Sequence, residues 1–156
     1  MVRLADLSAS DRDNMLKKIP TLPKFAGAPW VRGAPLQKRR VSIVTTAGLH
    51  TRGDRPFGAG AMDYRVIPGG AQANDLVMSH MSVNFDRVGF QQDWNVAFPL
   101  DRLRELEREG VIGGVADYHY SFMGAVSPVT NYEAKAGELA QQLKADKVDA
   151  VLLSPV

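Results

Sequence analysis

The sequence contains no cysteine among its 156 residues, and this absence excludes several kinds of chemistry. Disulfides, thiolate metal sites and cysteine nucleophiles cannot occur within these residues, because each of them needs a cysteine sulfur. A metal site would have to use carboxylates together with the three histidines, His50, His80 and His119.

Long apolar runs and an excess of charge are also missing. The longest apolar run, residues 150–153, is far shorter than the roughly 20 residues of a membrane span. Acidic residues interrupt the N-terminal stretch, so we predict no export signal and expect a cytoplasmic protein. With 19 basic and 17 acidic side chains, the charge is too balanced to indicate a nucleic-acid partner.

What the sequence does contain is an alternation of strand-like and helix-like segments from residue 41 onward. Residues 41–46 (VSIVTT) are β-branched and apolar enough for a buried strand. Further strand candidates are residues 64–68, 76–79, 112–116 and 149–153. The alternation predicts an α/β domain over residues 41–156, with a mostly parallel sheet, flanking helices and flavodoxin-like or Rossmann-like layers.

Two helices are expected in this domain. Pro99 suits the first turn of one helix, and Gly110 stands where a left-handed residue closes a helix in a Schellman motif. Its apolar stripe consists of Leu100, Leu103 and Leu106. The other helix is predicted to open with a capping box at residues 130–133 (TNYE).

Residues 1–40 are predicted to form an N-terminal segment outside this domain, with a helix followed by a Pro/Gly-rich arm. A short helix is expected over residues 7–19, with Ser10 as its cap. Prolines and glycines then exclude a helix or a central strand. We interpret this Pro-rich stretch as an extended arm anchored by Phe25 and Trp30, and a flexible linker is the alternative.

Ligands of parallel sheets bind beyond the carboxyl ends of the strands, and all three histidines follow predicted strands. His80 with Asp86, and His119 with Asp117, are therefore candidate acid/base pairs or metal ligands. Their spacing matches no metal motif, so the alternative is three loop histidines hydrogen-bonded to backbone.

Other polar residues follow the first strand or lie among aromatic residues. Arg52 or Arg55 can reach a substrate carboxylate, or an ion pair with Asp54 only rigidifies the loop. The polar set among aromatic residues 90, 94 and 98 is Gln91, Gln92, Asp93 and Asn95. It either braces turns or faces a small amino acid or quaternary ammonium compound.

Several stretches together resemble a known family: TTAGLHTRGDRPF (45–57), YRVIP (64–68), SHMSVNFDR (79–87), QQDWNVAFPLDRLRELEREGVIG (91–113) and HYSFMG (119–124). In order and without large gaps, they resemble the selenoprotein B family of glycine, sarcosine, betaine and D-proline reductases. The resemblance covers residues 41–156.

The resemblance implies a reductive cleavage in which a selenocysteine or cysteine attacks the carbon α to a carboxylate and breaks its bond to nitrogen. The nucleophile follows a strand that looks like DAVLLSPV, so it is expected beyond Val156 and no cofactor is expected within this chain. The domain is accordingly expected to be incomplete at its C-terminus. Either a selenocysteine codon was read as a stop, or a short chain works with a second polypeptide.

The resemblance also suggests which residues form the site. His80, Asp86 and His119 are the catalytic candidates. The substrate-binding candidates are His50, Arg52, Asp54, Asp93, Asn95 and Tyr120. Expected partners are a small amino-acid-like substrate and other reductase subunits or a second copy of the chain. Two alternatives stay open: a metal-dependent hydrolase or lyase using the three histidines, and a non-catalytic interaction subunit.

Overall fold

The computed structural model describes residues 3–24, 27, 31–82, 86–125 and 128–156. The strands are β1 Arg40–Thr45, β2 Leu49–Thr51, β3 Tyr64–Pro68, β4 Leu76–Met78, β5 Gly114–Val115, β6 Tyr118–Phe122 and β7 Ala150–Ser154. The helices are α1 Ala9–Lys18, α2 Val88–Gln92, α3 Leu100–Arg108 and α4 Glu133–Ala145. Short 3₁₀ turns include Trp94–Val96 and Val129–Tyr132.

Strand β1 is the centre of the main sheet. It pairs in parallel with β7 along one side, and with β5 and then β6 along the other. Strand β3 extends the sheet beyond β6 in the antiparallel direction. The predicted α/β fold with a mostly parallel sheet is therefore confirmed.

Successive side chains of β1 point to opposite faces of the sheet. Apolar side chains therefore lie on both faces, and a helix covers each face. Val41 and Ile43 pack in a core with Leu100 and Leu103 of α3. Val44 lies on the opposite face, in a second cluster around Leu139 of α4. No helix in the described part of the chain is long and apolar enough to cross a membrane.

Helix α3 ends in the predicted Schellman motif. Gly110 has φ +70°, its N–H donates to the Glu107 carbonyl, and the Val111 N–H donates to the Leu106 carbonyl. The left-handed residue thereby satisfies carbonyls that the helix end leaves free. The local sequence was sufficient to place this helix.

Other local predictions were wrong. Residues 49–51, for which no strand was predicted, form β2 and pair with β4 in a separate antiparallel sheet. Helix α4 begins after a 3₁₀ turn without a side-chain cap, so the expected capping box at residues 130–133 is absent. In α1 the cap is Ser8, whose Oγ accepts from the Asp11 N–H, rather than Ser10.

The N-terminal segment differs from the rest of the chain in its burial. Helix α1 buries none of its residues, and its apolar side chains Met15 and Leu16 are exposed. The predicted anchors of the arm, Phe25 and Trp30, lie outside the described residues.

His119 is the second residue of β6, and its expected place in a loop after a strand was wrong. Its Nδ1 accepts the Ile43 N–H at 2.9 Å, where the β1 ladder changes from β5 to β6. The expected partner Asp117 instead pairs with Arg40, at 3.0 Å between Oδ2 and Nη2. The imidazole thus replaces a missing ladder carbonyl inside the sheet.

Burial keeps the His119 imidazole neutral. The side chain is fully buried, packs edge-on against Phe98, and its Nε2 has no hydrogen-bond partner among the described residues. Burial, and secondarily the positive charge of Arg104, lower the pKa of His119 from 6.5 to about 4. A proton on Nδ1 would also remove the acceptor that Ile43 uses.

Arg65 of β3 organises the long connection between β2 and β3. Its buried guanidinium donates to the Arg55 and Tyr64 carbonyls and to the Asp63 carboxylate, and lies 4.3 Å from the centre of the Phe57 ring. The hydrogen bonds to these acceptors compensate for the cost of removing the guanidinium from water. Arg65 therefore ties several residues of the connection to the sheet.

We predict that the protein loses stability in acid through His119. Because the folded pKa lies below the unfolded value, the unfolded state binds the proton first, and stability falls as pH falls from 6.5 towards 4. At about 1.4 kcal/mol per pH unit, the loss in free energy of unfolding approaches roughly 3 kcal/mol. The free energy of unfolding can be measured by urea denaturation of the wild type and of His119→Asn at several pH values between 6.5 and 4.

In this comparison, Asn retains an acceptor for the Ile43 N–H but does not titrate. We expect the variant to be less stable at pH 7.5 and to depend less steeply on pH than the wild type. Equal pH slopes for the two proteins would show that His119 is not the titrating group.

Candidate functional site

The carboxyl end of β1 is surrounded by backbone turns that lie unusually close together. At Gly48, φ is +65°, and an added Cβ would stand 2.8 Å from the backbone nitrogen of His80. At Gly124, φ is +67°, and an added Cβ would stand 2.6 Å from the Thr46 carbonyl oxygen and 3.0 Å from His80 Nε2. These distances leave no room for side chains, so the two glycines allow the turns at residues 46–48 and 124 to approach His80 closely.

The exit of β7 lies at this same place. The Val156 N–H donates to Thr46 Oγ1 at 2.9 Å, and the Thr46 N–H donates to the Ser154 carbonyl. The Ser154 hydroxyl donates to the Ala97 carbonyl at 2.9 Å, which anchors the end of the strand. We call Thr46, Gly48, His80, Gly124 and Val156 the carboxyl-edge site.

His80 is the titratable side chain of this site. It is buried, and its Nδ1 accepts the Ser82 N–H at 3.2 Å, so the neutral ring carries its hydrogen on Nε2. Burial lowers the pKa of His80, and the positive charge of Arg87 lowers it further. Arg87 also donates to the His80 carbonyl oxygen. The imidazole is therefore a neutral group at physiological pH.

The other histidine and acid candidates have structural partners. His50 lies in β2, where Nδ1 is 2.7 Å from the Thr51 carbonyl oxygen and Nε2 is 2.8 Å from Ser79 Oγ. Asp86 is exposed and accepts the Val88 N–H at the start of α2. The part of the chain that the structure describes has no group of three or more histidine, cysteine or acidic side chains placed to hold a metal ion.

Arg52, Asp93 and Asn95 lie together, but in a different place. They line a polar groove of about 410 Å³, whose other polar residues include Asn74, Gln91 and Asp101. In the antiparallel pairing of β2 with β4, the end next to Arg52 is opposite to the end that leads to His80. The site candidates that the sequence suggested therefore divide between two ends of the small sheet.

The polar groove is also internally braced. Asp101 accepts hydrogen bonds from Trp94 Nε1 at 2.7 Å, from Asn95, and from Arg104. Burial raises the pKa of Asp101, but these hydrogen bonds outweigh burial and hold it below its usual value. Hydrogen bonds from Asn95 likewise lower the pKa of Asp93. The interpretation in which these polar residues brace turns accounts for each of these contacts.

Two further substrate-binding candidates lie in the framework. Asp54 accepts the Arg55 N–H, and its second oxygen lies 4.0 Å from Arg65 Nε. Tyr120 is buried on the α4 face of β6, with its ring edge-on to Tyr64 at 5.5 Å. Burial raises the pKa of Tyr120, which keeps the phenol protonated.

Thr46, Gly48 and Gly124 were not among the candidate site residues, although Gly48 and Gly124 belong to stretches that follow predicted strands, where ligands are expected. A signal for Gly48 was present, because a glycine directly after a buried strand often permits a left-handed turn. The short distance between Gly124 and Thr46 could not be predicted from the local sequence, because it depends on the pairing of β1 with β6.

Comparison with known proteins relates the chain to reductases. The model of the family "glycine/sarcosine/betaine reductase selenoprotein B" matches residues 17–156. D-proline reductase subunit gamma of Acetoanaerobium sticklandii is 40% identical over 138 residues, which cover 87% of this chain and 55% of that protein. No solved structure matches the chain.

Two more relatives agree with this assignment. Glycine reductase complex component B subunit gamma of Symbiobacterium thermophilum is 34% identical over 76% of this chain and 29% of its own length. Sarcosine reductase complex component B subunit beta of Peptoclostridium acidaminophilum is 35% identical over 76% of this chain and 28% of its own length. The chain thus spans about half of the first relative and under a third of the other two. It belongs to the glycine/sarcosine/betaine reductase selenoprotein B family.

Proposed function

We propose that this chain is a component of a reductase that cleaves the C–N bond of a small amino acid or amino-acid derivative. The relatives named above are subunits of D-proline, glycine and sarcosine reductases, and all of these substrates carry nitrogen on the carbon α to a carboxylate. We further propose that the selenol or thiol of the reaction comes from outside residues 1–156, which contain no cysteine.

The observation that carries this proposal is the position of the β7 exit. The last residues of the chain run past Thr46, whose hydroxyl binds the Val156 N–H. Gly124 lies next to Thr46 and to the His80 ring. A reactive side chain that follows Val156 would enter the site where β1, β6 and β7 end, which is the usual ligand position in parallel sheets.

The residues of the carboxyl-edge site suit a selenol or thiol. When present, that group supplies the nucleophile for attack on the carbon that carries the nitrogen, because its anion forms near neutral pH. His80 can donate a hydrogen bond from Nε2–H to that anion, since burial and Arg87 keep its ring neutral and Nδ1 is the acceptor for the Ser82 N–H. Thr46 holds the backbone at Val156, and the two glycines let the turns approach closely.

The direct test is reductive cleavage by the purified reductase complex that contains this chain, with a dithiol as reductant. Cleavage of the bond between nitrogen and the α-carbon releases ammonia from glycine, methylamine from sarcosine and trimethylamine from betaine, whereas it opens the ring of proline. We expect one of these products to form in proportion to the dithiol oxidised. A complete complex that oxidises no dithiol with any of the four substrates would contradict the proposal.

We predict that Gly124→Ala damages the carboxyl-edge site. The added methyl group would meet the Thr46 carbonyl and the His80 ring, and a left-handed φ is strained for alanine. We expect the free energy of unfolding to fall by about 1–3 kcal/mol. Below the melting temperature, we expect kcat of the complex to fall on the order of 100-fold, because the site residues are displaced.

Gly137→Ala is the matched control. Gly137 lies in α4 with open space around its Cβ position, so alanine should stabilise the chain by about 0.5–1 kcal/mol. Its kcat should equal that of the wild type. A folded Gly124→Ala complex with full activity would contradict the assigned role of this site.

A further inference from the structure

We propose that the open edge of β7, with the adjoining groove beside α4, binds a strand–helix unit from the part of the family protein that lies beyond the stretch present here. This inference rests on the proposed function, because it takes the reductase complex to contain that part. The new strand would pair in parallel with β7, and the helix would lie alongside α4.

The first reason is a conflict between the sequence of β7 and its position. Residues 150–153 (AVLL) form a continuous apolar run, which is typical of a parallel strand covered on both faces. Leu153, on the α4 face, is nevertheless 69% exposed, and Leu152, on the α3 face, is 38% exposed. Burial of both side chains would remove apolar surface from water on the two faces at once.

The opposite edge of the same sheet shows how this protein protects a true edge strand. Strand β3 alternates buried and exposed residues, carries Arg65 and ends at Pro68. A charge, a proline and alternating burial are the usual means of preventing further strand pairing. Strand β7 has no charged residue or proline between Ala150 and Ser154. Within the described part of the chain, β7 pairs only with β1, so its outer edge has the character of an interior strand without its next neighbour.

The second reason is an apolar groove on the same side. It has a volume of about 370 Å³ between α4 and the strands β1, β6 and β7, and its walls include Val151, Leu153, Leu139 and Leu143. Ala136 and Ala140 of α4 also line it and are exposed. Their small side chains leave space for a second helix to pack closely beside α4.

The length of the relatives identifies the occupant. The family members matched here are much longer than the shared stretch, since it makes up 55% of the D-proline reductase subunit and 28–29% of the glycine and sarcosine reductase subunits. A parallel strand after β7 needs a crossover connection, which in such sheets is right-handed and usually helical. One strand–helix unit therefore fits both the edge and the groove.

The test uses photo-crosslinking in the assembled complex. The photoreactive residue benzoylphenylalanine replaces Leu153 in the full chain, which is expressed together with the other polypeptides of its reductase complex. After irradiation, mass spectrometry identifies the attached peptide. We expect a peptide from the family segment that follows the stretch equivalent to β7. The same residue at Val66, 43% exposed on β3, is the matched control and should give no such product.

A second variant measures the contribution of the contact to binding. Leu153→Lys should fold as the wild type does, because the side chain is exposed, but should weaken association with that segment at least about 10-fold. Val66→Lys should leave association unchanged. Crosslinking of Leu153 to a second copy of this chain, or equal association of the Leu153→Lys and wild-type chains, would overturn the inference.

These results are distinguishable from a failure of the proposed function. A complex that crosslinks through Leu153 but cleaves no C–N bond would support the docking surface and contradict the reductase proposal. An active complex that assembles equally well with Leu153→Lys and with the wild-type chain would support the reductase proposal and contradict the docking surface.

Discussion

Strand β1 has parallel neighbours on both sides and packed side chains on both faces, and this double burial sets the positions of the other elements. The N–H and carbonyl groups of β1 need hydrogen-bond partners on both sides, and β6 and β7 supply them in parallel pairing. The three strands therefore end at the same edge of the sheet. At the middle of β1 the ladder is completed by His119 instead of a carbonyl. The carboxyl-edge site is the consequence, since the turns after three strands meet there.

The sequence was sufficient wherever the physical signal is local. The apolar run of β1, the strand at Tyr64–Pro68 and the Schellman end of α3 each depend on neighbouring residues, and the structure confirms them. Chain-local patterns also predicted the α/β alternation and the mostly parallel sheet. The family resemblance added what no local pattern contains, namely the class of protein.

The sequence was not sufficient where a polar residue finds its partner far along the chain. The stretch YHYSF has polar side chains typical of a loop, yet it forms β6, because His119 and Ser121 bind backbone N–H groups more than 70 residues away. The candidate site residues are divided for a related reason. The pairing of β2 with β4 places Arg52 and His80 at opposite ends of a small sheet, and no spacing in the sequence records this pairing. Similarly, β7 has the composition of an interior strand, but the structure leaves Leu153 exposed, which the composition alone did not predict.

The reactive selenol or thiol is proposed to act at the carboxyl-edge site. The most direct measurement is an experimental structure of the assembled, reduced complex that locates the selenium or sulfur atom. The account predicts this atom within direct or one-water reach of His80 Nε2, about 3–6 Å, with Thr46 and Gly124 beside it. A selenium or sulfur atom in the polar groove of Arg52, Asp93 and Asn95, at the other end of the small sheet, would contradict it.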